Sequence, residues 1–261
     1  MVKSNVTEKT PRIVLLCSPG DSSRAVYRAL MEDFGEVTVI MEAGIPRLDF
    51  LRRRLKRLGL VEVFGQVLFM SLVAPVLRLT ARERLQELTN DVRMCEIEDA
   101  IFVDSVNSEA CRTVLRQAVP DVVVVNGTRI IANETLGCVE ARFINMHAGI
   151  TPLYRGVHGG YWALAEDKPH LVGTTVHFVD TGIDTGGIIG QAFFDVEPRD
   201  NFATYPYLHT RAGIPVLLEA VNRTLEGTAK SQTHSPTAAS KLRHHPAIWV
   251  YLYHRLRKGV S

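Results

Sequence analysis

RIVLLC (Arg12–Cys17), the turn SPGDS (Ser18–Ser22) and EVTVIM (Glu36–Met41) decide the fold class. Each apolar run is too short for a helix and rich in the residues that suit a buried strand. Ser18-Pro19-Gly20 reads as a turn, and the stretch from Ser22 to Asp33 as a helix. Strand, helix and strand in this order predict a parallel sheet with a right-handed crossover. The turn holds one glycine and no GxGxxG, so nothing here indicates dinucleotide binding.

The same rhythm resumes downstream. Ile101–Val103 reads as a short strand, and 107–119 as an amphipathic helix capped at Asn107 or Ser108. DVVVV (Asp121–Val125) is a β-branched run suited to the centre of the sheet. Arg142–Asn145 follows as another strand, then a helix over His158–Glu166. Val172–Val179 and Ile188–Asp195 read as paired strands, and Thr204–Glu226 as a long helix. The expectation is an α/β fold: a Rossmann-like, mostly parallel sheet flanked by helices, spanning residues 11–227. After Gly227 the chain turns to Ser, Thr, Pro and His, the composition of a linker. A short basic, aromatic extension over 228–261 completes it, with AIWVYLY (Ala247–Tyr253) ahead of Arg255, Arg257 and Lys258.

Residues 45–90 differ in character and read as a helical insertion. Leu48, Leu51, Leu55 and Leu58 recur at helical spacing beside Arg47, Arg52, Arg53, Arg54, Lys56 and Arg57. Val63–Leu79 is strongly apolar but interrupted by Gly65, Gln66, Ser71 and Pro75, which leaves it short of the ~20 apolar residues of a membrane span. Packing on the core or on a partner subunit, as in a homodimer, is its expected role. Peripheral contact with a membrane surface and phosphate recognition by the arginines are the alternatives.

Composition sets the outer bounds. The 261 residues are 46% hydrophobic and 22% charged, with a formal net charge of only +2, so the whole molecule is not a nucleic-acid binder by charge. The polar stretch Met1–Thr10 lacks the apolar core of a signal peptide. Cys17, Cys95, Cys111 and Cys138 are scattered without CxxC spacing, which points to a reducing, cytoplasmic setting. The nine histidines include no HxxxH, and no metal is expected.

The chemistry concentrates in Asn145-Met146-His147, the turn TPLYRG (Thr151–Gly156) and the loop TGIDTGG (Thr181–Gly187). An amide, an imidazole and a carboxylate suit acyl transfer. Asn145 can donate to a developing oxyanion, His147 can carry a proton, and Asp184 can hold the imidazole and favour its charged form. With no activated nucleophile beside them, the attacking group belongs to the substrate. Asp180, four residues earlier, is the rival carboxylate, equally able to fix the turn through an Asx interaction.

N-x-H, then P-x-Y-R-G, then D-T-G in this order resembles the folate-dependent formyltransferases. The likeness covers residues 100–195 well, the first forty loosely, and 45–95 and the tail weakly. It implies transfer of a formyl group from N10-formyltetrahydrofolate to an amine by Asn145, His147 and Asp184, and it favours Asp184 over Asp180. It also implies that Val125, Asn126, Gly127, Ile183 and Gly186 hold the pterin and formyl carrier. Tyr154, Arg155 and His158 are expected on the substrate side, although Arg155 serves a structural pair equally well.

Among branches of the family, the loop after Cys17 lacks the Gly- and Asn-rich phosphate cradle of the glycinamide ribonucleotide enzymes. The short segment after the last long helix differs from the folded C-terminal domain of methionyl-tRNA formyltransferases. The sugar N-formyltransferases are nearest in size, so a nucleotide-linked amino sugar is the expected acceptor, with no nucleic acid involved. The alternatives are an amino-acid or peptide-like amine, hydrolysis of the formyl carrier, and a non-catalytic folate-binding or membrane-associated scaffold.

Overall fold

The strand β1 (Ile13–Cys17) is buried at every residue, as expected of a run covered on both sheet faces. In the computed structural model, which describes residues 10–233 and 240–261, it is followed by α1 (Asp21–Phe34) and β2 (Val37–Glu42). The polar stretch Met1–Thr10 therefore lies almost wholly outside the described residues, as does the middle of the expected linker. Next come α2 (Arg47–Leu58), α3 (Leu60–Leu68), α4 (Ala74–Thr80) and α5 (Arg82–Val92). The α/β alternation resumes with β3 (Ile101–Val103), α6 (Glu109–Ala118), β4 (Val122–Asn126), α7 (Asn133–Leu136) and β5 (Arg142–His147). Then follow β6 (Tyr154–Gly156), α8 (Gly159–Ala165), β7 (Gly173–Phe178), β8 (Ile188–Phe193), α9 (Tyr205–Leu225), β9 (Lys241–Arg243) and α10 (Ile248–Lys258).

The main sheet has seven strands in the order β3-β2-β1-β4-β5-β7-β8. The first five are parallel, and β7 and β8 are antiparallel to their neighbours. Val122 to Val125 fill the middle strand with negligible exposure, as their β-branched run predicts. One sheet face packs on α1 and α9 through Val26, Leu30, Leu217 and Val221. The opposite face packs on α6 through Cys111 and Leu115. Ser108 caps α6, its side chain accepting from the Cys111 N–H at 3.2 Å. The strand order reverses between β1 and β4, so a crevice opens at their carboxyl ends.

The 45–90 segment corrects one expectation. Leu60–Thr80 is a single helical run of 21 residues with mean hydropathy 2.0, long and apolar enough by length and composition to cross a membrane. The residues read as interruptions are absorbed. Gly65 and Gln66 lie on the buried side, where Trp249 packs on Gly65 so closely that a Cβ would collide with its ring. Pro75 is accommodated by a π-helical turn over Phe69–Val73, which widens the backbone where an α-helical proline would clash with the carbonyl four residues back.

That helix is fastened to the rest of the fold by Phe69, fully buried between Phe202 and Tyr251 at ring-centroid distances of 4.8 and 5.0 Å. The tail is fastened too: β9 pairs in parallel with β6, and Tyr251 of α10 joins the same aromatic cluster. Phe69→Ala is expected to lower unfolding free energy by about 3–5 kcal/mol, read as a reduced urea midpoint.

Candidate active site

Asn145 and His147 occupy alternate positions near the carboxyl end of β5, so their side chains project to the same face. The antiparallel partner β7 brings His177 directly opposite Asn145. Asp184 reaches the same place from the loop between β7 and β8, held in the left-handed region at φ 53°. Its Oδ2 accepts the Gly156 N–H at 2.8 Å. Gly156 itself sits at φ 91°, where a side chain would strike the Arg243 backbone, so this anchor requires glycine.

His147 is buried, with both ring nitrogens facing oxygen. Nε2 donates to the Tyr154 carbonyl at 2.8 Å, and Nδ1 lies 3.3 Å from Asp184 Oδ1. Both oxygens are acceptors, so a proton must lie between Nδ1 and the carboxylate if that contact is to be attractive. The carbonyl of Tyr154, more than Asp184, fixes the ring. Gly149 makes this possible, since a Cβ there would press on both Nε2 and the Tyr154 carbonyl.

His177 went unnoticed in the sequence. Its Nδ1–H donates to the Phe178 carbonyl at 2.7 Å, leaving the Nε2 lone pair for the Asn145 Nδ2 amide at 3.1 Å. Burial pushes its pKa below the usual histidine value, so it is neutral and accepts at Nε2. This contact fixes which way the Asn145 amide points and leaves its second N–H free for a ligand. Nothing in the sequence marked His177 except a histidine in a strand. Only the register of β5 against β7 reveals it.

These groups line a cleft of about 990 Å³ that runs along the carboxyl ends of β1, β4 and β5. Val125, Asn126, Gly127 and Ile183 line it, as does His158. Asn126 also ties β4 to the start of α1, donating to Ser23 Oγ at 3.0 Å. Gly127, at φ 70°, has open space where a side chain would be. Gly186 departs from the expected group. It backs onto the Phe178 carbonyl beside the cleft, and its role is close approach of two backbones.

The expected substrate side divides as well. Tyr154 is buried away from the cleft, its hydroxyl donating to Glu166 at 3.0 Å. Its contribution to the site is its carbonyl. Arg155 donates to Ser240 Oγ at 2.9 Å and to the Ile183 carbonyl at 3.3 Å, bracing the Asp184 loop against the tail. Asp180 accepts from Gly182 N at 3.0 Å and Thr185 Oγ1 at 2.7 Å, the Asx arrangement considered for it. Among the described residues no group of three or more His, Cys, Asp or Glu side chains is arranged to hold a metal ion.

The family profile described as formyl transferase matches residues 73–221, more than half of the chain. This chain belongs to that family. A methionyl-tRNA formyltransferase of Thermodesulfovibrio yellowstonii is 31% identical over 123 residues, which cover 46% of this chain and 40% of that protein. The chain thus matches well under half the length of this relative. A sugar N-formyltransferase from a Shewanella species superimposes with TM-score 0.54 at 17% identity, covering 88% of this chain and 76% of that one. The formyltransferase PseJ from Anoxybacillus kamchatkensis, solved with UDP-4,6-dideoxy-4-formamido-L-AltNAc and tetrahydrofolate, gives 0.52 at 19% identity, covering 92% and 90%. At such identities the two structures share a fold with this chain.

A second set of histidines near the cleft sets a pH limit. Burial lowers His209 to about 3 and His245 to about 4, and takes His158 well below its ordinary value. His158 and His245 also face each other at 2.9 Å between Nε2 and Nδ1, so charging one penalises the other. Their folded pKa values are depressed. The stability they contribute is therefore complete above the ordinary value of 6.5 and is lost as pH falls toward 4 and then 3. Between about pH 6.5 and 5, above the range of most carboxylates, unfolding free energy is expected to fall as pH falls, by up to roughly 1.4 kcal/mol per pH unit for His209 and for His245. Urea titrations across that interval check it, a flat profile being the contrary result.

Proposed function

We propose that this chain transfers a formyl group from N10-formyltetrahydrofolate to the primary amine of a nucleotide-linked amino sugar. The observation that carries the reading is the approach of His147 Nδ1 to Asp184 Oδ1 at 3.3 Å, next to a free Asn145 amide N–H, in a cleft of a formyl transferase family chain.

The residues present fit the formyl carrier. The cleft is of a size that takes a drug-sized ligand, and Gly127 leaves backbone polar groups open beside Val125 and Ile183 for the edge of a pterin. Bound there, N10-formyltetrahydrofolate supplies an activated formyl carbon. The acceptor assignment is supported by the fold shared with enzymes solved on nucleotide sugars, and by Arg78 on the cleft wall. A cation there suits a diphosphate.

In this mechanism the amine nitrogen bonds to the formyl carbon, the bond from that carbon to N10 breaks, and the proton lost by the amine balances the one gained at N10. Asn145 donates its free N–H to the oxygen as negative charge builds on it. His147, anchored at Nε2, presents Nδ1–H to the same oxygen. The 3.3 Å separation from Asp184 is longer than a strong charge-assisted hydrogen bond, so the in-plane Nδ1–H can be shared with a reacting oxygen that lies beside the carboxylate. Asp184 collects the proton released by the amine, directly or through water.

The test is tetrahydrofolate release with a panel of nucleotide amino sugars, free amino acids and a control without amine. Asn145→Ala is expected to lower kcat roughly 10²–10³-fold, the cost of one oxyanion donor. Release that proceeds equally without amine sinks the transferase reading in favour of hydrolysis, and release only with amino acids sinks the sugar acceptor. His177→Leu is expected to lower kcat by about ten-fold with little change in KM, because the Asn145 amide loses its orientation while the cleft keeps its walls.

A further inference from the structure

The Leu60–Thr80 helix has one side that the fold leaves uncovered. Only 22% of its most apolar window is buried. Leu60, Val61, Phe64, Leu72, Val76 and Leu79 are each more than half exposed, with Leu60 and Phe64, and then Leu72, Val76 and Leu79, at the helical spacing of three or four residues. On α10, Tyr253 and Leu256 are exposed as well, Leu256 at 83%. Exposed apolar residues in such number mark a contact site.

Its surroundings are cationic. On α2, Arg53, Lys56 and Arg57 are exposed and form no ion pair with another described residue. Asp49 is the only acid on that helix. Arg54 and Arg57 press electrostatically on His244, so this basic helix lies near the segment leading into α10. The last turns of α10 carry Arg255 and Arg257, and α10 has no acid at all.

We propose that this face docks on the surface of an anionic lipid bilayer, with the Leu60–Thr80 helix lying in the interfacial plane. The charge decides the occupant. In a symmetric pair of copies this face would offer little counter-charge to its own basic rim, since α2 carries a single acid and α10 none. An anionic bilayer supplies an apolar layer for the stripe and counter-charge for its rim. The helix lies on the membrane and does not cross it, because its inner side stays locked to the protein through Phe69, Phe202 and Tyr251. Met70, Ala74, Pro75 and Arg78 of the same helix line the cleft, so docking sets one wall of the cleft at the lipid surface.

The test is flotation of the full chain with vesicles of phosphatidylcholine alone and of phosphatidylcholine mixed with phosphatidylglycerol, at low and high salt. The expected result is binding to the mixed vesicles that weakens as salt shortens the range of the attraction. Arg53→Glu with Arg57→Glu is expected to weaken that binding by about ten-fold or more. These side chains are exposed, so the thermal unfolding midpoint stays unchanged. Leu60→Asp with Phe64→Asp is expected to abolish binding. Equal binding to both vesicles, no binding to either, or a dimer in solution that Phe64→Asp dissociates overturns the proposal. None of these readouts depends on formyl transfer.

Discussion

The antiparallel pairing of β5 with β7 is the constraint on which the site rests. It sets Asn145 against His177 and His147 against Thr175. A slip of one residue would send each side chain to the opposite face of the sheet and separate the amide from the imidazole. Both strands are covered by the core, where Met146 and Thr174 press on Gly213 of α9, so that slip would also break the packing. The same pairing ends the parallel part of the sheet and launches the loop that carries Asp184. Fold and site are thus fixed by one set of backbone hydrogen bonds.

Around that pairing the polar groups satisfy one another in sequence. The Phe178 carbonyl fixes the tautomer of His177, His177 orients the Asn145 amide, the Tyr154 carbonyl fixes His147, and Gly156 holds Asp184. Three of the four supports are backbone groups. A site built this way places few demands on side-chain identity around it and strict demands on local backbone geometry, which explains why glycines stand at 149 and 156.

The helical insertion joins the site to the molecular surface. Its inner face carries Phe69 into the aromatic cluster, part of its flank lines the cleft, and its outer face is apolar with basic residues close by. One helix therefore couples the cohesion of the fold to the shape of the cleft. The proposed contact with lipid makes use of the remaining side, which the core has no means of covering.

Local signals in the chain were enough for the strand-helix-strand opening, the central Val122–Val125 strand and a helix capped at Asn107 or Ser108, and they marked Asn145, His147 and two rival carboxylates, Asp180 and Asp184, between which only resemblance to the family chose. These are legible because they depend on local periodicity, side-chain chemistry and short motifs. The apolar continuity of Leu60–Thr80 was misread, because Gly65 and Pro75 break helices only where neighbours do not accommodate them. The burial of Tyr154, the bracing role of Arg155, the close approach at Gly186 and the part played by His177 were decided by tertiary structure alone. Each depends on strand register or on a contact between distant segments, and the chain records neither locally.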